Sequence, residues 1–364
     1  MKIKKKLQKL FKTIFQKLFF LIHGKITYTE SYNDIDAIKI KEIKELNIWD
    51  LKYKCFSIKK GRIYNDSVEN VCVISKNNLV PGANYQRING ELVNDQKNIC
   101  LKKGTPRIKI KKNGKLLSLI QDASGENYAH WFLDILPRLK ICETLYSIEN
   151  IDYFLLPEIK NNFQFDSLKI LNIPLNKVVN CKKFRHVEAD ELIITSHPWY
   201  SKGKINDEMH KIPKWIILWL RESFLPKAEF TFSHDKIFID RSDSLFNHCK
   251  IINFDEVWNF LKLNGFKKYK LSEINLENQI GLFNSAKIIV GAHGAGLSNL
   301  IFSKPKSKVI ELKPINHINK LFSRISEINN LEHHTVNSKK FDFNTNIDTG
   351  DIYVDVKNLN MLIN

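Results

Sequence analysis

The stretch from Lys287 to Glu311, KIIVGAHGAGLSNLIFSKPKSKVIE, constrains the fold of this chain more than any other. An apolar run, Lys287 to Val290, stops at Gly291; glycines at 291, 294 and 296 bracket His293, and Leu297, Leu300 and Ile301 follow at helical spacing. The order is strand, glycine-rich turn, helix, and Lys308 to Leu312 supplies a second buried strand. Two strands joined by a helical crossover predict a parallel sheet. Such a turn leaves backbone N–H groups unpaired and aims a helix N-terminus above the strand end, which suits phosphate oxygens. Glu311, near the end of the second strand, is placed to accept hydrogen bonds from ribose hydroxyls. The spacing G-x-x-G-x-G is neither the dinucleotide fingerprint nor a P-loop, so close packing is the competing explanation of the glycines.

The surrounding sequence continues the alternation. Lys236 to Asp240 reads as a strand ending at Arg241, Phe254 to Leu263 as a helix after Asn253, and Phe266 to Leu271 as a strand. Leu276 to Ala286 is an amphipathic helix, Lys320 to Asn329 a last helix, and His334 to Val336 a closing strand. This is the pattern of a doubly wound sheet. Arg241, at a strand end, points to the edge that carries the glycine turn, where a guanidinium would neutralise a diphosphate. An ion pair with Asp240 or Asp243 is the plainer role.

Earlier in the chain, residues 25 to 120 give short β-type runs such as Val71 to Ser75 and Arg107 to Lys111, separated by turns such as Pro81-Gly82 and Asn113-Gly114. No site is assigned to them. In GENYAHWFLDILPRL, Asn127, His130 and Asp134 are three and four residues apart, which puts them on one stripe of a helix that Pro137 ends or kinks. Two titratable groups one turn apart can form a base and its orienting partner; hydrogen bonding within the domain is the alternative. Tyr153 to Leu156 is a buried strand, Phe163 to Leu171 a helix, and Glu191 to Thr195 a strand that delivers His197 to a candidate cleft. Pro213 to Phe224 is a Trp-rich helix near the domain junction.

The chain of 364 residues is long enough for two domains. Its net charge of +18 comes from lysine spread along the sequence, without an aromatic-basic RNA motif or zinc-finger spacing, so nucleic acid is not an expected partner. Six scattered cysteines with no C-x-x-C pair predict no disulfide and fit a reducing cytosol. At the N-terminus, Leu7, Leu10, Phe11, Ile14, Phe15, Leu18 and Ile22 recur at helical spacing, while Lys4, Lys5, Lys6, Lys9, Lys12 and Lys17 lie largely opposite. Lysines interrupt the apolar run, so the helix is expected to lie on an anionic membrane surface and not to span it.

Taken in order, G-E-N-Y-A-H-W-F-L-D-I-L-P-R-L, F-I-D-R, I-I-N-F-D-E-V, L-x-x-Q-I-x-L-F-x-x-A and I-V-G-A-H-G-A-G-L-S-N-L resemble glycosyltransferase family 61 and its bacterial capsule and polysaccharide members. The resemblance spans Gly125 to Leu312. It implies an α/β GT-B architecture, two Rossmann-like domains facing across a cleft, and metal-independent inverting transfer from a nucleotide sugar, with no further cofactor. Arg241, His293, Gly294 and Glu311 fall on donor-side positions, together with Ala295 and Gly296 of the turn; Asn127, His130 and Asp134 fall on the acceptor-side block, with His197 beside it. Lys250 stands where the family often has arginine, which loses the planar fork. Asp134 is expected as base with His130 orienting it, or the reverse. The implied acceptor is a saccharide, expected to be lipid-linked, and the implied location is the cytoplasmic face of the cell membrane.

The resulting division is 1–24 membrane-surface helix, 25–210 acceptor-side domain, 211–340 nucleotide-sugar domain and 341–364 a tail packing back on the protein. Competing readings are a nicotinamide oxidoreductase, whose fingerprint usually opens its first strand and not a late one, and a non-catalytic nucleic-acid or membrane binder.

Overall fold

The computed structural model describes residues 2–31, 38–48, 51–120, 125–243, 249–315, 317–338 and 350–363. The chain forms two compact units. The first comprises Met1–Lys160 and Ile173–Ile205, the second Asn161–Asn172 and Asn206–Asn364. The short segment Asn161–Asn172 therefore belongs with the later sequence, a crossing that the single expected junction near residue 210 does not contain.

The second unit is built on a fully parallel five-stranded sheet. Its spatial order is Lys267–Tyr269, Lys236–Ile239, Ile288–Ala292, Lys308–Lys313 and Glu332–Asn337, which is order 2-1-3-4-5 within the unit. Phe238, Val290 and Ile310 are buried on these strands because helices cover the sheet. Phe254–Leu263 follows Asn253, Leu276–Ser285 starts at an Asn275 cap that accepts from the Asn278 amide, and Leu321–Ile328 precedes the last strand. Of the expected tail, residues 341–349 lie outside the described residues. Ile352, Val354, Leu359 and Ile363 are buried in the same core as Phe238 and Val290, the last two on the helix Val356–Ile363.

In the first unit the sheet is mixed. His186–Thr195 is its centre, parallel to Ile110–Ser118 and antiparallel to Leu51–Lys59 and Arg62–Ser67. Tyr153–Leu156 runs parallel between Ile110–Ser118 and Val178–Asn180. The β/α alternation expected here is thus confined to four strands, and hairpins such as Arg62–Ser67 with Asn70–Ser75 build the rest. Asn113-Gly114 is not a turn: it lies inside the Ile110–Ser118 strand, opposite a register shift between Ala189 and Glu191. Gly114 has φ +111° and its amide donates to the Asp190 carboxylate, so a turn-forming dipeptide serves as a bulge.

A second correction concerns the cysteines. Cys72 and Cys100 form a disulfide between the Asn70–Ser75 strand and the Ile99–Lys103 helix, while Cys55, Cys142, Cys181 and Cys249 are buried free thiols. The pair is 28 residues apart and shows no spacing signature, so only the fold brings it together. Disulfides belong mainly to oxidising compartments, and the bridge is at odds with the reducing cytosol that the scattered cysteines suggest.

The N-terminal helix runs from Lys2 to His23. Side chains of Leu7, Phe11 and the lysines at 4–6, 9 and 12 lie outside the described residues. Of the others, Phe20 lies against Gly104, Gln16 donates to the Lys102 carbonyl and His23 stacks edge-on to His186. Leu10, Ile14, Leu18, Leu21 and Ile22 are exposed on the remaining surface. No helix among the described residues is long and apolar enough to cross a membrane.

Candidate active site

Each unit gathers a part of the predicted residues. In the first, Asn127 caps the helix Tyr128–His130, its Oδ1 accepting from the His130 amide at 3.2 Å. Pro137 has no N–H to give to Leu133, and the chain answers with a π-helical turn, Trp131–Ile135, in which the Leu136 amide reaches back to the Trp131 carbonyl at 3.1 Å. Helical structure then continues over Pro137–Glu143. The proline kinks the element without ending it.

His130 and Asp134 meet across this turn. Nδ1 of His130 lies 2.6 Å from Asp134 Oδ2, and Trp199 Nε1 donates to Asp134 Oδ1 at 2.6 Å. Asp134 is wholly buried, while His130 keeps a quarter of its side-chain surface exposed. Burial would raise the Asp134 carboxyl; the charge and hydrogen bond of His130, then His197 and Trp199, outweigh it and hold it below the usual range. Asp134 is enclosed by its two hydrogen-bond partners, and of the pair His130 alone keeps exposed surface.

Two residues that sequence reasoning did not single out complete this cluster. Trp199 carries the second bond to Asp134. Arg138, fully buried, donates through Nε to the Asp134 carbonyl at 2.8 Å and through one terminal nitrogen to the carbonyls of Thr195 and Ser196 at 3.4 and 3.3 Å. It ties the kinked helix to the loop that leaves the His186–Thr195 strand. The signal was present, since Arg138 sits in the same P-R-L motif. His197, on that loop, accepts the amides of Trp199 and Tyr200 at Nδ1, at 3.3 and 3.0 Å.

In the second unit the strand order reverses between Lys236–Ile239 and Ile288–Ala292, and ligands of open α/β sheets bind beyond strand C-termini at such a switch point. Arg241 follows the first of these strands and His293-Gly294 follow the second. The Arg241 guanidinium donates to the His293 carbonyl and lies flat against Gly294, where a Cβ would collide with it. Gly294 has φ 163°, ordinary extended backbone, so glycine is required here for the arginine and not for the chain. Gly291 and Gly296 do have packing reasons: a Cβ would come within 3.0 Å of Leu297 at the first and 2.9 Å of Leu271 at the second. Ala295–Phe302 forms a 3₁₀ helix, whose first amides, from Ala295 onward, have no partner within the helix.

Glu311 has partners other than ribose. It is 1% exposed, and His293 Nδ1 is 2.5 Å from Oε1, with His333 Nε2 at 3.2 Å and Lys313 Nζ at 3.7 Å from Oε2. Burial would raise its carboxyl; the hydrogen bond with His293 and the close approach of His333, then the charges of His293 and Lys313, hold it down at about 2. His293 is further packed between His317 and Phe322, with ring centroids 4.0 and 5.0 Å away. The carboxylate thus orients His293 from below. His333 and Lys313, each one residue outside the strand read from the sequence, had no sequence signal.

Residues 128–310, half of the chain, match the family described as Glycosyltransferase 61. Over 66 residues the chain is 33% identical to the Beta-1,2-xylosyltransferase RCN11 of Oryza sativa subsp. japonica, a match that covers 18% of this chain and 12% of that protein. The chain spans about an eighth of the length of this curated relative.

Proposed function

Because the chain belongs to the glycosyltransferase 61 family, we propose that it moves a sugar from a nucleotide-sugar donor to a saccharide acceptor by inverting, metal-independent displacement, in a GT-B arrangement whose first unit serves the acceptor and whose second serves the donor. The acceptor hydroxyl attacks the anomeric carbon while His130 takes its proton at Nε2, the ring nitrogen turned away from Asp134 in the bonding pattern. As the new C–O bond forms, the bond to the nucleotide breaks, and its electron pair passes to the departing phosphate oxygen. Arg241 and the leading amides of Ala295–Phe302 neutralise that charge, a role that a divalent cation fills in other chemistries. Glu311 fixes His293, whose carbonyl in turn fixes Arg241.

The observation that carries this reading is the Arg241 guanidinium, held at the switch point against a glycine that leaves room for it. Calorimetric titration with UDP, GDP and CMP in EDTA tests it. Binding of one nucleotide by the wild type, weakened at least tenfold by Arg241→Ala, supports the donor site; no binding by folded protein, or equal binding by the variant, overturns it.

The finer proposal is a lipid-linked acceptor in surface or capsular polysaccharide synthesis, reached from a membrane surface. Support comes from the exposed Leu10, Ile14, Leu18, Leu21 and Ile22 on a helix whose other side packs on its own unit. The Cys72–Cys100 bridge leads us to name the surface and not the compartment. Sedimentation with anionic vesicles, lost when this apolar stripe is broken by Ile14→Glu with Leu18→Glu, is the expected result; equal sedimentation of the variant overturns this part.

A further inference from the structure

The register of the first unit's sheet gathers lysines on one of its faces. Lys39 lies opposite Ser57, Lys59 opposite Glu191, and Glu191 opposite Lys115. Residues opposite each other on paired strands share a face, and so do Ser57 and Lys59, two apart on one strand, so all five side chains stand together. Tyr146, from the loop after Pro137–Glu143, joins them: its hydroxyl and that of Ser57 both donate to Glu191 Oε1. A cavity of about 640 Å³ opens among these residues, with Lys60, Asp152 and Asp190 at its other sides. The volume is within the range of small-molecule sites, about 300–1,000 Å³.

The charged groups of this cavity are four lysines, at 39, 59, 60 and 115, and three carboxylates. The fold accounts for the carboxylates. Asp190 accepts from the Gly114 amide at 2.8 Å and Asp152 from the Lys115 amide at 2.7 Å, which fixes the bulge in Ile110–Ser118, and Glu191 takes the two hydroxyls. The lysines have no comparable role. Among the described residues none of the four forms an ion pair with these acids, and the ammonium groups of Lys39, Lys59 and Lys60 have no protein partner. The Lys115 ammonium stands 5.9 Å from the centre of the Tyr146 ring. Lys39, Lys59 and Lys60 are exposed, and Lys115 and Tyr146 half-buried, so a ligand in the cavity can touch all five.

An anion placed among these ammonium groups is attracted by several of them at once. A bare phosphate or carboxylate would leave most of the volume empty, while the Tyr146 ring offers the C–H face of a sugar a flat apolar surface. We propose that this cavity binds an anionic sugar residue of the acceptor saccharide, one that carries a carboxylate or a phosphate. His130 and Glu143 stand about 20 Å apart along one kinked helical run, at ~1.5 Å per residue, and Tyr146 lies beyond its far end. The sugar held here is therefore not the one that reacts. The proposal rests on the transferase reading above and adds to it a preference for an acidic acceptor.

The test is calorimetric titration of the full chain, without nucleotide, with glucose 6-phosphate, glucuronate, glucose and inorganic phosphate. Lys39→Gln with Lys59→Gln removes two exposed ammonium groups and no contact within the described residues; Arg241→Ala alters the other unit. The expected result is binding of at least one sugar anion, with glucose and inorganic phosphate weaker by at least about tenfold. The lysine variant should lose at least about tenfold in affinity for the sugar anion and melt as wild type does, and Arg241→Ala should bind it as wild type does. Raising the salt from about 0.1 M to about 1 M shortens the Debye length from about 10 Å to about 3 Å and should weaken binding further. No sugar anion bound by folded protein, binding that the lysine variant keeps or Arg241→Ala loses, indifference to salt, or glucose or phosphate bound equally well, each overturns the proposal. Nucleotide titration of the wild type separates the two readings: nucleotide bound with no sugar anion bound sinks the cavity alone, and sugar anion bound with no nucleotide bound sinks the donor site alone.

Discussion

Replacing Glu311 by Gln examines the buried cluster beneath the donor loop with little change of shape. The carboxyl is held at about 2 against 4.5 in water, and one pKa unit is worth about 1.4 kcal/mol, so the native surroundings favour the charged form by about 3 kcal/mol. Because the folded pKa is depressed, that contribution is fully present above the unfolded value near 4.5 and is lost as pH falls toward the folded value near 2. Gln keeps an acceptor for His293 Nδ1 and cannot supply the charge that His293, His333 and Lys313 surround. Urea unfolding of both proteins at a series of pH values from about 7 to about 3 reads the effect as a difference, in which all other carboxylates cancel. The variant should be less stable by about 3 kcal/mol at neutral pH, and the gap should close steadily below about pH 4.5. A gap that stays constant with pH, or one below about 1 kcal/mol at neutrality, would refute the electrostatic account and leave the cluster as ordinary packing.

Three further outcomes are expected. Asp134→Asn puts an amide between two donors, His130 Nδ1 and Trp199 Nε1, and disturbs the imidazole tautomer; turnover should fall about 10³–10⁴-fold with nucleotide affinity nearly unchanged, measured by nucleotide release and calorimetry. Gly294→Ala asks nothing of an extended backbone but displaces the Arg241 guanidinium, so nucleotide binding should weaken about tenfold, roughly 1.4 kcal/mol, while the melting temperature hardly moves. Thiol titration of the denatured, unreduced protein should count the four free cysteines, and reduction should cost about 3–4 kcal/mol for a loop closed over 28 residues; six thiols or an unchanged urea midpoint would contradict the bridge.

The second unit was legible because its strands are short apolar runs separated by capped amphipathic helices. Lys236–Ile239, Phe254–Leu263 and Leu276–Ser285 stand within a residue or so of where the pattern puts them. Side-chain direction was less legible. On Lys308–Lys313 both faces of the sheet are covered, so alternation carries no information about whether Glu311 looks to a ligand or inward. The dyad was found by spacing, but which member is buried depends on Trp199, 65 residues away in sequence. Asn113-Gly114 misled for a related reason: positive φ is needed in a bulge as in a hairpin, and only the strand opposite tells them apart.

The chain's early loan of Asn161–Asn172 to the second unit has a consequence for how this protein is made. Its helix, Asn162–Ile170, buries Gln164, Ser167 and Leu168, and Asp166 accepts from the Leu276 amide at 3.3 Å. About a hundred residues of synthesis separate the helix from that partner, roughly 5–20 s at ~5–20 residues per second. During that interval the central His186–Thr195 strand leaves the ribosome and can complete the first unit, while the helix waits with its apolar side uncovered. Maturation of the two units is therefore interleaved, and a polypeptide that starts at residue 206 would lack a piece of the core it needs, whatever linker precedes it.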